Sequence, residues 1–307
     1  MTMKTNIQKN AAVLAAALLG ILPLNAGGVG TTGANFLKVG VGARSLGMGS
    51  AAVSTVDDAN AIYWNPARLA PLSQTSLTAT YASLFEDQSQ GFLGAALPVG
   101  KAGVMGVGIN YLTVGDIEKR AGDTETADGT IKDQEYSVAF SFARKGVLWD
   151  NLDLGASAKL IHQSLDTYTE NAYALDLGSA YRLTEKITAG LSVQNLGTKL
   201  GNDSLPSLIK AGADGRLFKD KLTLALDGNA WIADERYTGN AGTEFWIANP
   251  LALRAGYQFG QGPDQLGGAS GLTVGVGFRV SPINFDYAFL PAGDLGDTHR
   301  ISFSARF

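Results

Sequence analysis

The 307-residue chain has no cysteine and only two histidines. Without cysteine no disulfide framework is possible, and no thiolate is available for catalysis or for a metal. His162 and His299 stand far apart in sequence, so no metal constellation can be built around them. There is no G-x-S-x-G nucleophile motif and no G-x-G-x-x-G. Gly40–Gly49 superficially suggests a phosphate loop, but no Lys-Ser/Thr pair follows Gly49. The sequence therefore offers no catalytic, cofactor-binding or metal residue. Net charge is −4, so there is no basic excess to attract nucleic acid. Asp123, Glu125 and Asp128 offer oxygens that Ca²⁺ accepts, but a solvated loop accounts for them equally well. Past the first residues, no apolar run approaches the ~20 residues of a spanning helix.

The start of the chain has another character. Lys4 and Lys9 precede an apolar run from Ala11 to Leu22, which Pro23 breaks before Asn25-Ala26. This pattern predicts a secretory signal peptide over residues 1–26. The mature chain is then either periplasmic or a membrane β-barrel.

The body of the chain alternates with period two, the mark of strands with one apolar face. In Lys221–Ala230, Leu222, Leu224 and Leu226 point one way and Lys221, Thr223, Asp227 and Asn229 the other. Fourteen such strands are predicted: Thr75–Leu84, Gln90–Leu97, Gly103–Leu112, Gln134–Ala143, Leu152–His162, Ala172–Arg182, Ile187–Gln194, Leu208–Leu217, Lys221–Trp231, Gly242–Ala248, Leu251–Phe259, Gly271–Val280, Ile283–Phe289 and Thr298–Phe307. Most are near the ~9–11 residues that cross an outer membrane at a tilt. The connections alternate between tight turns, such as Asn249-Pro250, and long loops at Thr113–Asp133, Asn195–Ser207, Ile232–Ala241 and Gly260–Ser270. Short periplasmic turns and longer outer loops are the habit of membrane barrels.

Composition of the two faces agrees. Asp153, Lys159, Asp176, Lys210, Asp214, Arg216, Asp227, Arg254, Asp286, Arg300 and Arg306 share the alternate face, expected to line a wet lumen. Tyr81, Tyr111, Trp231, Trp246, Tyr257, Phe259, Phe278, Tyr287 and Phe289 fall near strand ends, where aromatic girdles sit. The expected fold is thus an all-β, transmembrane antiparallel barrel of about 14 strands over residues 73–307.

Residues 27–72 precede the first strand and are rich in Gly, Ala and Ser. Asn65 is expected to cap a turn begun by Pro66 and running through Ala67, Arg68 and Leu69. Asp57 or Asp58 is expected to cap a second short helix. Gly106, Gly108, Gly271, Gly275 and Gly277 leave room on the lumen face, so this segment is read as a hatch inside the barrel. Arg68, too polar to rest alone among Gly and Ala, is expected to pair with Asp176, Asp227 or Asp286, or else to face the periplasm.

The stretch FLKVGVGARSLGMGSAAVSTVDDANAIYWNPARLA resembles the N-terminal signature of PorV/PorQ-type outer-membrane proteins, within the FadL-like group of barrels with an Asn-Pro-Ala hatch. The match covers roughly Asn35–Ala70. The family's pattern carries Gly after Asn-Pro-Ala, where Arg68 stands here. The final strand THRISFSARF, with Phe303 and the terminal Phe307, resembles the assembly signal that bacterial barrel-assembly machinery reads. The resemblance implies a non-enzymatic barrel in the bacterial outer membrane, in contact with its lipid. It implies an accessory of type IX secretion that meets secreted cargo or secretion-channel proteins at its outer loops. The alternative it carries is a FadL-like passive channel for small hydrophobic molecules.

Overall fold

The structure, a computed structural model, describes residues 32–84, 87–123, 125–260, 269–291, 293 and 296–307. The expected signal peptide 1–26, and most of the expected loop Gly260–Ser270, lie outside the described residues.

Fourteen antiparallel strands close into one barrel. They are β1 (Ser76–Ser83), β2 (Gln88–Pro98), β3 (Val104–Lys119), β4 (Gly129–Arg144), β5 (Leu152–Leu165), β6 (Tyr168–Arg182), β7 (Ile187–Gly197), β8 (Leu208–Leu217), β9 (Leu222–Trp231), β10 (Arg236–Ala248), β11 (Leu251–Phe259), β12 (Leu272–Val280), β13 (Ile283–Pro291) and β14 (Asp297–Arg306). Each pairs with its neighbours in sequence, and β14 closes on β1 from Ser76↔Arg306 to Ser83↔His299. Closure leaves no unpaired edge, which lipid would penalise. No described helix is long and apolar enough to cross a membrane; the strands provide the crossing.

The two faces divide as the period requires. In β9, Thr223, Ala225, Asp227 and Asn229 are buried inward while Leu224 and Leu226 are exposed outward. In β14, Thr298, Arg300, Ser302 and Ser304 are buried and Ile301 and Phe303 face out. The ionisable residues of the polar face do line the lumen; Asp153 and Asp176 are fully buried there.

Two expectations about the ends of the strands are corrected. The connection 113–133 is mostly ladder, because β3 runs on to Lys119 and β4 starts at Gly129. The expected loop Ile232–Ala241 shrinks to the turn 232–235. Both strand faces meet water past the membrane, so the apolar alternation stops while the hydrogen-bond ladder continues. Trp231 and Trp246 are the second correction. They stand on the lumen face, not in a girdle: Trp231 donates Nε1–H to Thr238 Oγ1 and lies under Lys38, and Trp246 stacks on Arg279 at 4.2 Å. Tyr81, Tyr111, Phe259 and Phe278 are exposed on the outer wall.

Residues 32–72 lie inside the ring. They form the 3-10 turn η1 (Asn35–Lys38), helices α1 (Ala43–Gly47) and α2 (Ala61–Trp64), and the 3-10 turn η2 (Pro66–Leu69). Helix α1 packs on β11–β14 and η2 on β4–β6, on opposite arcs of the wall. Val41, Leu46, Val56, Ile62, Trp64 and Leu69 form a buried core against Phe92, Ala96, Val104 and Ala139 of the wall. A second cluster, toward the outer end, sets Phe36 and Leu37 against Leu112, Ile161, Leu200 and Leu205.

Candidate functional site

The Asp57–Ala70 stretch is fixed from both sides. Asn65 has extended backbone, and its Oδ1 accepts from Ala67 N–H at 3.1 Å, which caps η2 with Pro66 in its first turn. Its Nδ2 donates to the carbonyls of Val53 (2.8 Å) and Ser179 (3.1 Å). One buried side chain thus joins the cap, the preceding loop and strand β6. The wall makes room for it: a Cβ on Gly178 would collide with Asn65 Oδ1, and one on Gly155 with the Pro66 backbone. Gly106 and Gly108 face Ile62, as expected, whereas Gly271 sits at a strand end near Tyr257.

Tyr63 and Trp64 meet edge to face, with centroids 5.0 Å apart. The Tyr63 hydroxyl is shared between the carbonyls of Leu37 (2.8 Å) and Val39 (3.0 Å), and Trp64 Nε1 donates to the Val41 carbonyl at 2.9 Å. Lys210 Nζ sits 4.2 Å from the Trp64 ring, a cation–π contact from the wall. Gln194 Nε2 of β7 donates to the Trp64 carbonyl.

The expected caps of α2 fall otherwise. Its first flanking residue is Asn60, with no side-chain cap. Asp58 Oδ1 instead accepts from Asn60 N–H at 2.9 Å, an Asx turn that leads into the helix. Asp57 is an anchor. Its Oδ1 accepts from Arg44 Nη1 at 3.0 Å and from Arg306 Nη2 at 2.8 Å. Burial would raise the Asp57 pKa, but Arg44 and Arg306 outweigh it and hold it at about 2. Burial and the neighbouring Asp57 raise that of Asp58.

From Arg44 an alternating belt continues across the lumen. Arg44 grips Glu244 of β10 with Nε at 2.8 Å and Nη2 at 2.9 Å. Arg254 of β11 meets Glu244 Oε2 at 2.7 Å and Asp286 of β13 at 2.8 Å. Charges buried this deeply are tolerable only when paired. Backbone donors of the segment are met in the same way. Asp227 accepts from Ala52 and Val53 N–H, Ser302 from Ala43 N–H, and Thr273 from Gly49 N–H. Sequence reasoning passed over Arg44 and Glu244. Their one signal was charge: a lone Arg in a Gly/Ala stretch, and a lone acid in the strand Gly242–Ala248.

Arg68 does not take the expected partners. Asp176 pairs with Lys159 at 2.6 Å, Asp227 with backbone amides and Asp286 with Arg254. Arg68 Nε donates to the Val56 carbonyl at 3.0 Å, and burial lowers its pKa while Asp214 and Asp57 oppose that. Phe303 and Phe307 both face outward. Phe303 packs on Phe285 with centroids 5.1 Å apart, and the Phe307 backbone exchanges two hydrogen bonds with Thr75.

The barrel is similar in fold to several solved structures. The Pseudomonas putida toluene transporter TodX matches at 14% identity and TM-score 0.65, over 87% of this chain and 99% of that one. The Ralstonia pickettii toluene transporter TbuX matches at 15% identity and TM-score 0.60, over 87% and 98%. A Pseudomonas aeruginosa FadL homologue matches at 12% identity and TM-score 0.57, over 87% and 98%. No curated protein matches the sequence. The sequence model of the family described as Type IX secretion system protein PorV matches residues 25–207, which take in the lumen segment, β1 to β7 and the connection after β7. With more than half of its length matched, and a closed barrel of FadL-like fold around the segment that carries the signature, this chain belongs to the PorV family of outer-membrane proteins.

Proposed function

We propose that this barrel is a non-enzymatic accessory of type IX secretion, closed by its hatch, that engages cargo or secretion-channel proteins with its outer loops. The family match over residues 25–207 carries the reading. In it, residues 1–26 are removed on export, residues 27–72 are the hatch and residues 73–307 are the barrel. The barrel-assembly machinery reads Phe303 and Phe307. Cargo would meet the longer outer connections, 120–128 and 198–207 among them. The 198–207 connection is partly folded: Leu200 and Asp203 form a bridge, and Thr32 pairs with Ser204. It offers a partner a shaped surface rather than a loose loop.

A passive channel for small hydrophobic molecules is the second reading. The fold shared with toluene transporters favours it, as does the apolar cluster around Phe36 and Leu37 beneath the outer end.

One experiment separates them. A strain lacking the protein is assayed for release of a type IX cargo and for uptake of labelled toluene. The expected result is cargo held in the periplasm, restored by the parent and not by a variant with 199–204 replaced by Gly-Ser. Normal secretion with reduced toluene uptake would overturn the first reading in favour of the second.

A further inference from the structure

At the periplasmic mouth, beneath the hatch, a cavity of about 180 Å³ opens between Arg68, Arg216, Arg306 and Asp57, beside the linker 71–74. That is room for several waters or a small ion. The three arginines come from different parts of the fold: Arg68 from η2, Arg216 from β8 and Arg306 from β14. β8 and β14 stand six places apart in the ring of fourteen, so their side chains converge from well-separated arcs of the wall.

The guanidinium groups are largely unspent. Arg68 is 5% exposed, yet only its Nε is bonded among the described residues, to the Val56 carbonyl. The Arg216 guanidinium has no hydrogen bond or ion pair among them. Arg306 gives Nη2 to Asp57 and leaves a buried Nε without a partner. Asp57 is the one carboxylate in the lining, and it is shared with Arg44. Asp214 acts on both Arg68 and Arg216, beyond ion-pair distance. Within the lining, three cations thus face the cavity with one carboxylate, itself shared, while Asp214 acts from outside the lining. Guanidinium forks match carboxylate and phosphate oxygens two at a time.

We propose that this pocket is an oxyanion site, open to the periplasm, that binds a phosphate or carboxylate group and so ties the hatch to β8 and β14. The oxyanion is either free in the periplasm or carried by an acidic peptide segment. The site is independent of the secretion reading, since it needs only the closed hatch.

The test uses the full chain refolded in detergent micelles, with inorganic phosphate and a short synthetic glutamate peptide as probes. Calorimetry should show binding of at least one probe at low salt. Arg216→Gln should weaken it about ten-fold or more, the value of one charge-assisted contact. Arg144→Gln, an exposed arginine of the same rim outside the pocket, should change nothing. Because the Arg216 guanidinium has no hydrogen bond or ion pair among the described residues, its loss should leave the barrel folded, checked by heat-modifiable migration. Phosphate or peptide should also slow proteolysis of the hatch in the parent and not in the Arg216→Gln variant. Tighter binding of peptide than phosphate assigns the site to a peptide, and the reverse to a free oxyanion. No binding of either probe at millimolar concentration, or equal binding by Arg216→Gln and parent, would overturn the proposal.

Discussion

Asn65 makes three hydrogen bonds with one side chain, and that sets what its loss should cost. Losing the cap on Ala67 N–H costs about 1 kcal/mol. The Val53 carbonyl loses its Nδ2 donor in a buried place, at a further ~1–3 kcal/mol. Asn65→Ala should therefore loosen the hatch by about 2–4 kcal/mol in all. Limited proteolysis within residues 35–72 should speed up markedly while the strands remain resistant. Unchanged proteolysis would mean that the cap is incidental. Asp57 is the second residue with a measurable consequence. Its folded pKa, at about 2, lies below the ordinary carboxylate value, so its contribution is present above that ordinary value and is lost as pH falls through about 2. Asp58 runs the other way. Its pKa is raised, so its ionised form costs stability at neutral pH and protonation relieves that cost. Acidification should therefore leave the hatch anchored at pH 4 and release it only near pH 2, read by the same proteolysis with an acid-active protease. Release already at pH 5 would show that the Arg44–Asp57–Arg306 contact is not the anchor.

At the scale of elements, β14 closes the barrel on β1, and Phe307, 62% exposed on the outer face, ends it with two backbone bonds to Thr75. Its ring is worth only about 2–3 kcal/mol by transfer. Deleting Phe307 should lower stability after refolding in detergent by no more than about that much. Assembly in cells should fall much further, seen as loss of the heat-modifiable form. Equal yields in cells would remove the terminal Phe from the assembly step. The strands themselves were legible wherever one face met lipid and the other the lumen: Leu208–Leu217 and Leu251–Phe259 match the sequence reading residue for residue. Legibility stopped where that contrast stopped. β3 has 16 residues and β11 has 9, a difference of roughly 24 Å of ladder at ~3.4 Å per residue. The extra length stands outside the membrane, where period two carries no information. The pairing of lumen charges was equally hidden. Arg68, Asp176, Asp227 and Asp286 were all placed on the correct side of the wall. Which charge meets which depends on strand neighbours and on the path of the hatch, and Glu244 draws Arg44 and Arg254 together from positions 200 and 10 residues away.

For the whole molecule the question is whether the hatch closes a pore or only fills one. The wall keeps much of its own order without it. Arg254 still holds Glu244 and Asp286, and Lys159 still holds Asp176, all from strands. All fourteen ladders are strand to strand. A chain lacking Asn35–Leu72 should therefore still close into a barrel, less stable by the buried core that Val41, Leu46, Ile62, Trp64 and Leu69 lose. What remains inside is largely polar. Gln194, Lys210, Asp227, Glu244 and Ser302 would face water in place of the hatch backbone and side chains they now meet. Small residues line much of the rest, including Ala96, Gly106, Gly155 and Gly178, which now accommodate the hatch backbone and side chains. A lumen lined mostly by polar and small residues wets readily, although Phe92, Val104, Leu112 and Ile161 stay on its wall. The deletion variant should give steady single-channel conductance in a planar bilayer, and the parent should stay silent or flicker. Asn65→Ala, with the hatch loosened but present, should fall between them as brief openings. A deletion variant that shows heat-modifiable migration yet conducts no more than the parent would make the hatch packing alone. The closed state would then have to be assigned to the outer connections.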